Sequence, residues 1–153
     1  MRDLFNRVKL VDAVEAPALN TNSDVDIVSA IVDRAGYESE LWAIVCGALT
    51  DAGAIVSVKL EHGDDSGLSD AAAVPASQIQ LDSRMVAVPE STFQAAFDQS
   101  NDDLTFKIGY LGDKRYQRLT ISPVGNAAGN IPLAVTVILS HARHQPAGAT
   151  QVP

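Results

Sequence analysis

Two imidazoles three residues apart, His141 and His144, form the best candidate in the sequence for metal ligation, because at that spacing both can share one ion on a helical face. Their setting argues otherwise. The pair follows an apolar strand pattern, has no cysteine partner and encloses Arg143, whose charge opposes a cation. His141 and His144 therefore read as surface residues where a strand ends. The segment Asp64-Asp65-Ser66-Gly67-Leu68-Ser69-Asp70 has the acid density of a calcium loop. It lacks glycine at the sixth position, and the twelfth, counted from Asp64, is Pro75 rather than a bidentate glutamate. It reads as an acidic, solvated loop. Asp102 and Asp103 are adjacent, and neighbours on a strand point to opposite faces, so they mark a strand-entry turn rather than a working carboxylate pair. The sequence has no GxSxG elbow, no GxxxxGK[ST] loop and no GxGxxG after a strand. With no nucleophile, base and stabiliser in combination, no hydrolase, transferase or metal-dependent activity is expected, and no catalytic, cofactor or metal residue is assigned.

Lys114, Arg115 and Arg118 make the one local basic cluster. At a net charge of −8 the surplus acids on neighbouring strands can pair with it; the functional alternative is contact with an acidic partner surface. The same charge repels phosphate backbones and anionic headgroups, so neither nucleic acid nor membrane is an expected partner. Cys46 is the single cysteine, which excludes an intramolecular disulfide, and its place in the apolar run 41–48 predicts an inert core residue. The N-terminal Met-Arg-Asp-Leu-Phe-Asn-Arg carries charges where a secretion signal needs a continuous apolar stretch. The aliphatic segment 131–139 falls well short of the roughly 20 residues of a spanning helix. The expectation is a soluble chain made in a cytoplasm.

Strands must carry these residues. Leu104, Phe106, Ile108 and Tyr110 alternate with Thr105, Lys107 and Gly109. Val56, Val58 and Leu60 repeat the two-residue period, as do Leu133, Val135, Val137 and Leu139, and these sets are expected to line a common core. In 115–122, Leu119 and Ile121 point inward while Tyr116, Arg118 and Thr120 point outward. The dense run Leu41-Trp42-Ala43-Ile44-Val45-Cys46 has no polar alternation and predicts a mid-sheet strand buried on both faces. Further strands are expected at 7–14, 27–33, 77–81 and 84–88. A short helical turn is expected over 91–100, where Phe93 and Phe97 are four apart.

Turn chemistry joins these strands as three successive hairpins. Thr50-Asp51-Ala52-Gly53 predicts antiparallel pairing of 41–49 with 54–61, its glycine at positive φ. Gly112-Asp113 predicts a tight turn before 115–122, and the loop 124–130 joins that strand to 133–139. Many short strands linked by glycine-rich turns, with no βα alternation, indicate an all-β, single-domain antiparallel β-sandwich of jelly-roll type with extended terminal arms. Residues 1–24 are an N-terminal arm or first strand, 25–146 the sandwich, and 147–153 a loose C-terminal tail.

Three stretches carry a resemblance to a known family. They are Gly36-Tyr37-Glu38-Ser39-Glu40-Leu41; Leu49-Thr50-Asp51-Ala52-Gly53 followed by Val58-Lys59-Leu60-Glu61; and Lys107-Ile108-Gly109-Tyr110-Leu111-Gly112-Asp113-Lys114-Arg115-Tyr116, with Arg118-Leu119-Thr120 and Ser140-His141-Ala142-Arg143-His144-Gln145-Pro146 after it. Over roughly 25–146 the chain resembles small virion proteins of tailed bacteriophages. Where relatives carry proline within the His-x-Arg-His segment, this chain has Ala142. The resemblance implies a structural role in the particle, with a jelly-roll-like capsid decoration (cement) protein as its leading form. Such a protein would sit on the capsid exterior, as a homotrimer bridging copies of the major capsid protein after synthesis in the host cytoplasm. It transfers no catalytic residues. A head–tail adaptor and a tail-associated carbohydrate or host-binding module are the alternatives. Sugar sites need exposed aromatic platforms, and the few aromatics here fall mostly at inward positions.

The residues expected to touch a partner lie at the ends and in the basic cluster. Leu4, Phe5, Val8 and Leu10 are more apolar than a free tail should expose, and Lys114, Arg115, Arg118, His141, Arg143 and His144 supply charge and polarity. Two roles stay open for the first segment: strand addition to a neighbour, or the first strand of its own sandwich.

Overall fold

The computed structural model describes residues 4–88 and 92–144, with the backbone alone over 15–21. Twelve strands follow in order: β1 (Val8–Thr21), β2 (Ile27–Val28), β3 (Val32–Asp33), β4 (Tyr37–Cys46), β5 (Ile55–Gly63), β6 (Ala72–Ala73), β7 (Ile79–Leu81), β8 (Val86–Ala87), β9 (Ala95–Asp98), β10 (Thr105–Tyr110), β11 (Tyr116–Val124) and β12 (Asn130–Ala142). They form two antiparallel sheets. Sheet A runs β1-β12-β4-β10-β7, and sheet B runs β2-β11-β5-β9-β8, with β3 added to β11 and β6 to β5.

The order of pairing is that of a jelly roll. Every long strand has its sequence neighbour in the opposite sheet: β4 precedes β5, β10 precedes β11, and β11 precedes β12, yet no member of these pairs is bonded to the other. The three expected hairpins are therefore arches between sheets. β4 pairs instead with β12 and β10, and β5 with β11 and β9. The glycines have correspondingly different roles. Positive φ occurs at Gly36 and Gly125, not at Gly53 or Gly112. Gly112 is needed because a Cβ there would collide with the ring and hydroxyl of Tyr110. That is a demand for close approach rather than for a left-handed turn.

Between the sheets, alternate residues of each strand meet. Trp42, Ile44, Phe106, Ile108, Val135 and Val137 from sheet A oppose Val56, Val58, Leu60, Leu119 and Ile121 from sheet B, all buried. Phe97 of β9 stacks on Phe106 of β10 with ring centroids 4.5 Å apart, joining the layers directly. Leu104 packs at the margin, partly buried. The helical turn expected over 91–100 does not form around Phe97, which lies in β9; helical geometry there is confined to a single 3-10 turn at Gln99–Asn101. Ala95 and Phe97 face the core in register with Val58 and Val56, a two-residue period that sheet pairing satisfies and a helix would not.

Residues 8–21 take the first-strand role. β1 pairs along β12 from Val8↔Ser140 to Thr21↔Asn130, with register shifts between Asp12 and Val14 and between Val14 and Ala18. Those bulges, with Lys9 and Asp12 on the strand, interrupt an otherwise open sheet edge. The expected tail, 147–153, lies outside the described residues.

Candidate functional site

β4 was expected to be covered on both faces, and the structure corrects this. Trp42, Ile44 and Cys46 are buried, but Val45 is 50 % exposed on the other side. Nothing in the described chain lies over the outer face of sheet A. The register arranges that face in rows across the strands. One row is Leu10, Ile138, Leu41, Gly109 and Gln80; the next is Asp12, Thr136, Ala43 and Lys107. Asp12 and Lys107 are the only charges that the strand registers place on this face among the described side chains. Leu10 is 63 % exposed, and Ile138 and Leu41 are half-buried beside it. The sequence hid this face because Leu41, Ala43 and Val45 share one continuous apolar run with their buried neighbours.

Two hollows lie on the face and share Leu41. The larger, about 590 Å³, is bounded by Leu4, Arg7, Val8, Ile138, Ser39 and His141, with Glu38, Glu40 and Arg143 also on its lining. The smaller, about 430 Å³, opens where Gly109 leaves a gap between Leu41, Lys107 and Gln80. Of the expected contact residues, the structure brings Leu4, Val8, His141 and Arg143 together at the larger hollow. Leu10 belongs to the adjoining apolar row. Phe5, 88 % exposed, lies in the short turn that precedes β1. His144 is exposed beyond β12.

His141 is held in an unusual way. It adopts a left-handed backbone (φ 53°), and its Nδ1 lies 2.8 Å from Ser39 Oγ and 3.2 Å from Ser140 Oγ. A non-glycine residue in that region costs of order 1 kcal/mol and needs its surroundings to fix it. Here the two hydroxyls, and the bond from Arg143 N–H to the Gly36 carbonyl, supply that constraint. Arg143 Nε also lies 3.8 Å from Glu38 Oε1. Ser39 is separated from His141 by 102 residues, so no local pattern could announce the contact.

The basic cluster lies elsewhere and is neutralised. Lys114 pairs with Asp64 at 2.5 Å, Arg115 with Asp33 at 2.8 Å and Arg118 with Glu61 at 2.9 Å. Asp64-Asp65-Ser66-Gly67-Leu68-Ser69-Asp70 turns its carboxylates onto its own backbone: Asp70 accepts from the amides of Asp64 and Asp65, and Asp65 from those of Gly67 and Ser69. These oxygens serve as loop caps. Burial, helped by the Asp102 and Asp103 charges, pushes the Cys46 thiol up to about 12, which keeps it from acting as a nucleophile at neutral pH.

A second polar constellation, not anticipated from the sequence, closes one end of the sandwich. Glu40 is 5 % exposed and faces inward on β4, two residues from Trp42 on the same side, so the Trp42 indole N–H donates to Glu40 Oε1. Arg34 Nε stands 3.9 Å from Glu40 Oε2, and Oε2 itself has no hydrogen-bond partner. Arg34 also donates to the Gly112 carbonyl and lies over the Tyr110 ring, whose hydroxyl is 2.8 Å from His62 Nδ1 in sheet B. Burial, opposed by the Trp42 bond and the Arg34 charge, lifts the Glu40 carboxyl to about 7. Burial holds His62 below its ordinary value, and Lys114 adds to the effect. A carboxylic acid with such a value has the character of a general acid. Here the carboxyl is buried, bonded to Trp42 and close to Arg34, so the cluster reads as a polar clasp between layers.

No family model matches the chain, and no characterised protein matches it in sequence. Among solved structures, the SPBc2 prophage-derived protein YomS is similar in fold over 87 % of this chain and 93 % of its own, at 8 % identity and a TM-score of 0.47. Xylanase10C from Cellvibrio japonicus, solved with xylopentaose as an E385A mutant, is similar over 86 % of this chain at 13 % identity and a TM-score of 0.47, and this chain spans 28 % of it.

Proposed function

We propose that the chain is a non-enzymatic structural protein of a tailed-phage virion. In its specific form it is a capsid decoration protein that binds the assembled lattice of major capsid protein as a homotrimer on the capsid exterior. The observation that carries this reading is the uncovered outer face of sheet A, apolar at its centre and almost without charge, on a sandwich whose basic cluster is already paired. An uncovered apolar patch with a polar rim suits contact with another protein. Many copies, each burying a modest area on the assembled shell alone, would stabilise the shell by mass action. The particle context comes from the sequence resemblance.

A tail-associated carbohydrate-binding module is the second reading, favoured by the hollows that cross the sheet face. The aromatics weigh against it: Trp42, Phe97, Phe106 and Tyr110 are buried, and no aromatic side chain lines either hollow. The test is quantitative mass spectrometry of the virion whose genome encodes the chain, with sedimentation of the purified protein on shells emptied of DNA. A decoration protein is expected at hundreds of copies and to co-sediment with the shell; about a dozen copies would indicate a head–tail adaptor instead.

A further inference from the structure

Arg34, in the turn between β3 and β4, stands between two kinds of acceptor. Its Nη1 and Nη2 donate to the backbone carbonyls of Gly112, at 2.6 Å, and of Glu38, at 3.2 Å, while its Nε stops 3.9 Å from Glu40 Oε2. Two carbonyls are satisfied and the carboxyl oxygen is not. The Glu40 side chain has no contact with solvent, and Oε2 has no hydrogen-bond partner among the described residues. The guanidinium lies about 1 Å beyond the range of a charge-assisted bond to it. An ionised carboxylate held there would be desolvated and short of a donor, which a protein interior tolerates only when the charge is paired. A neutral acid makes no such demand, and Arg34 can remain on the carbonyls.

The surroundings leave Arg34 as the cation that answers to Glu40. Trp42 on the same strand bonds the other carboxyl oxygen, β12 places Leu139 opposite, and β10 places Tyr110 opposite, whose phenol burial raises and keeps neutral. Behind the Tyr110 hydroxyl stands His62 of β5, held below its ordinary value by burial and by Lys114, with Asp113, Asp64 and Asp70 opposing. Lys114 is paired with Asp64, Arg115 with Asp33, and Arg143 lies 3.8 Å from Glu38. The Gly112 carbonyl belongs to the arch that joins β10 to β11. Nearby ties of that arch are the Leu111 N–H to the Gln78 carbonyl, the Lys114 N–H to the Tyr110 hydroxyl and the Gln117 amide to the Lys114 carbonyl.

We propose that Arg34 is a latch worked by Glu40: with the carboxyl protonated the guanidinium holds the Gly112 and Glu38 carbonyls, and with it ionised the guanidinium closes on Oε2 and releases both. The guanidinium is a rigid fork, so Nε cannot be seated on Glu40 without moving Nη1 and Nη2. Release loosens the β10–β11 arch and, through Glu38, the lining of the larger hollow. Burial, against the Trp42 bond and the Arg34 charge, lifts the carboxyl to about 7, so the latch holds the carbonyls below neutral pH and lets them go above it.

The test is NMR of the full chain, with the Glu40 carboxyl carbon, the Arg34 Nε and the Asp113 amide followed from about pH 5.5 to about pH 8.5. The Asp113 amide shares its peptide group with the Gly112 carbonyl and reports what that carbonyl accepts. All three are expected to move with one midpoint near 7 while Thr120 stays still. Protection of the Lys114 amide from exchange should fall about tenfold across the same midpoint. Glu40→Gln, which fixes the neutral form, should abolish the Arg34 and Asp113 shifts, and His62→Gln should leave them in place. A Glu40 carbon that titrates while Arg34 and Asp113 stand still would overturn the latch, and so would one that does not titrate in this range. Shifts that survive Glu40→Gln, or that vanish in His62→Gln, would assign the transition to another group. Should either variant fail to fold, the shared or separate midpoints in the unsubstituted chain decide the matter.

Discussion

The two outer faces of this sandwich are both built from antiparallel strands, yet they meet their surroundings in opposite ways. On sheet B, Glu61 accepts from Lys59 on its own strand and from Arg118 across the ladder, so the charges of that face are satisfied within the chain. On sheet A, the corresponding centre is Ile138, Leu41 and Ala43, with no charge to satisfy and no layer above. Sheet B keeps exposed Val28, Ile55 and Val124 around that ion-paired centre, whereas the centre of sheet A is itself aliphatic and uncovered and retains the free energy of burial for an encounter. The buried glutamate beneath sheet A and the paired glutamate on sheet B sharpen the contrast, because their carboxyl groups are pushed in opposite directions.

The largest expected effect strikes what both faces share. Phe106→Ala removes the side chain that stacks on Phe97 between the sheets and should cost about 3–5 kcal/mol in urea denaturation. A loss under about half a kilocalorie would mean that the layers do not meet there.

Next comes Glu40. Its folded carboxyl at about 7 stands above the 4.5 of the unfolded chain, so the proton is held more tightly by the folded state. Its contribution is complete below pH 4.5 and is lost as pH rises through 7; at about 1.4 kcal/mol per pH unit the gap is worth about 3 kcal/mol at most. Glu40→Gln should flatten stability between pH 4.5 and 8, with Trp42 fluorescence as the probe. An unchanged slope would show that Glu40 titrates normally.

Glu61 has the opposite sign. Burial works against its charge, but the hydrogen bonds from Arg118 and Lys59 outweigh it and hold the carboxyl below the usual range. Its contribution is present above the unfolded value of 4.5 and disappears as pH falls through the lower folded value. Glu61→Gln should cost about 1 kcal/mol at neutral pH, less in high salt, and nothing in strong acid. The smallest effect belongs to the open face. Leu10→Ser should change folding stability by less than about 0.5 kcal/mol, since the residue is already mostly in water, while weakening shell binding.

Much of the fold was legible in the sequence and its connectivity was not. Alternation at Val56-Val58-Leu60, Phe106-Ile108-Tyr110 and Val135-Val137-Leu139 marked inward faces correctly, because a pleated strand has only two sides. It could not say which sheet a strand joins. A reversal at Gly53 or Gly112 is compatible with a hairpin or with an arch, and the choice depends on pairings such as Glu40↔Tyr110 between residues seventy apart. For the same reason the site was only partly visible. Leu4, Val8, His141 and Arg143 stood out one by one, while Ser39, Leu41 and Gly109, ordinary in sequence, became neighbours of theirs only through the jelly-roll order. The clasp around Glu40 gave no signal at all beyond an acid at the head of an apolar run.

The proposed docking through sheet A is tested most directly by which face meets the particle. Hydroxyl-radical footprinting of the chain, free and bound to purified shells, reads both faces in one experiment. Protection is predicted at Leu10, Leu41, Val45 and Ile138, with Lys59, Arg118 and Val124 as reactive bound as free. Protection of the sheet B residues, with the outer face of sheet A still open to the radical, would contradict it.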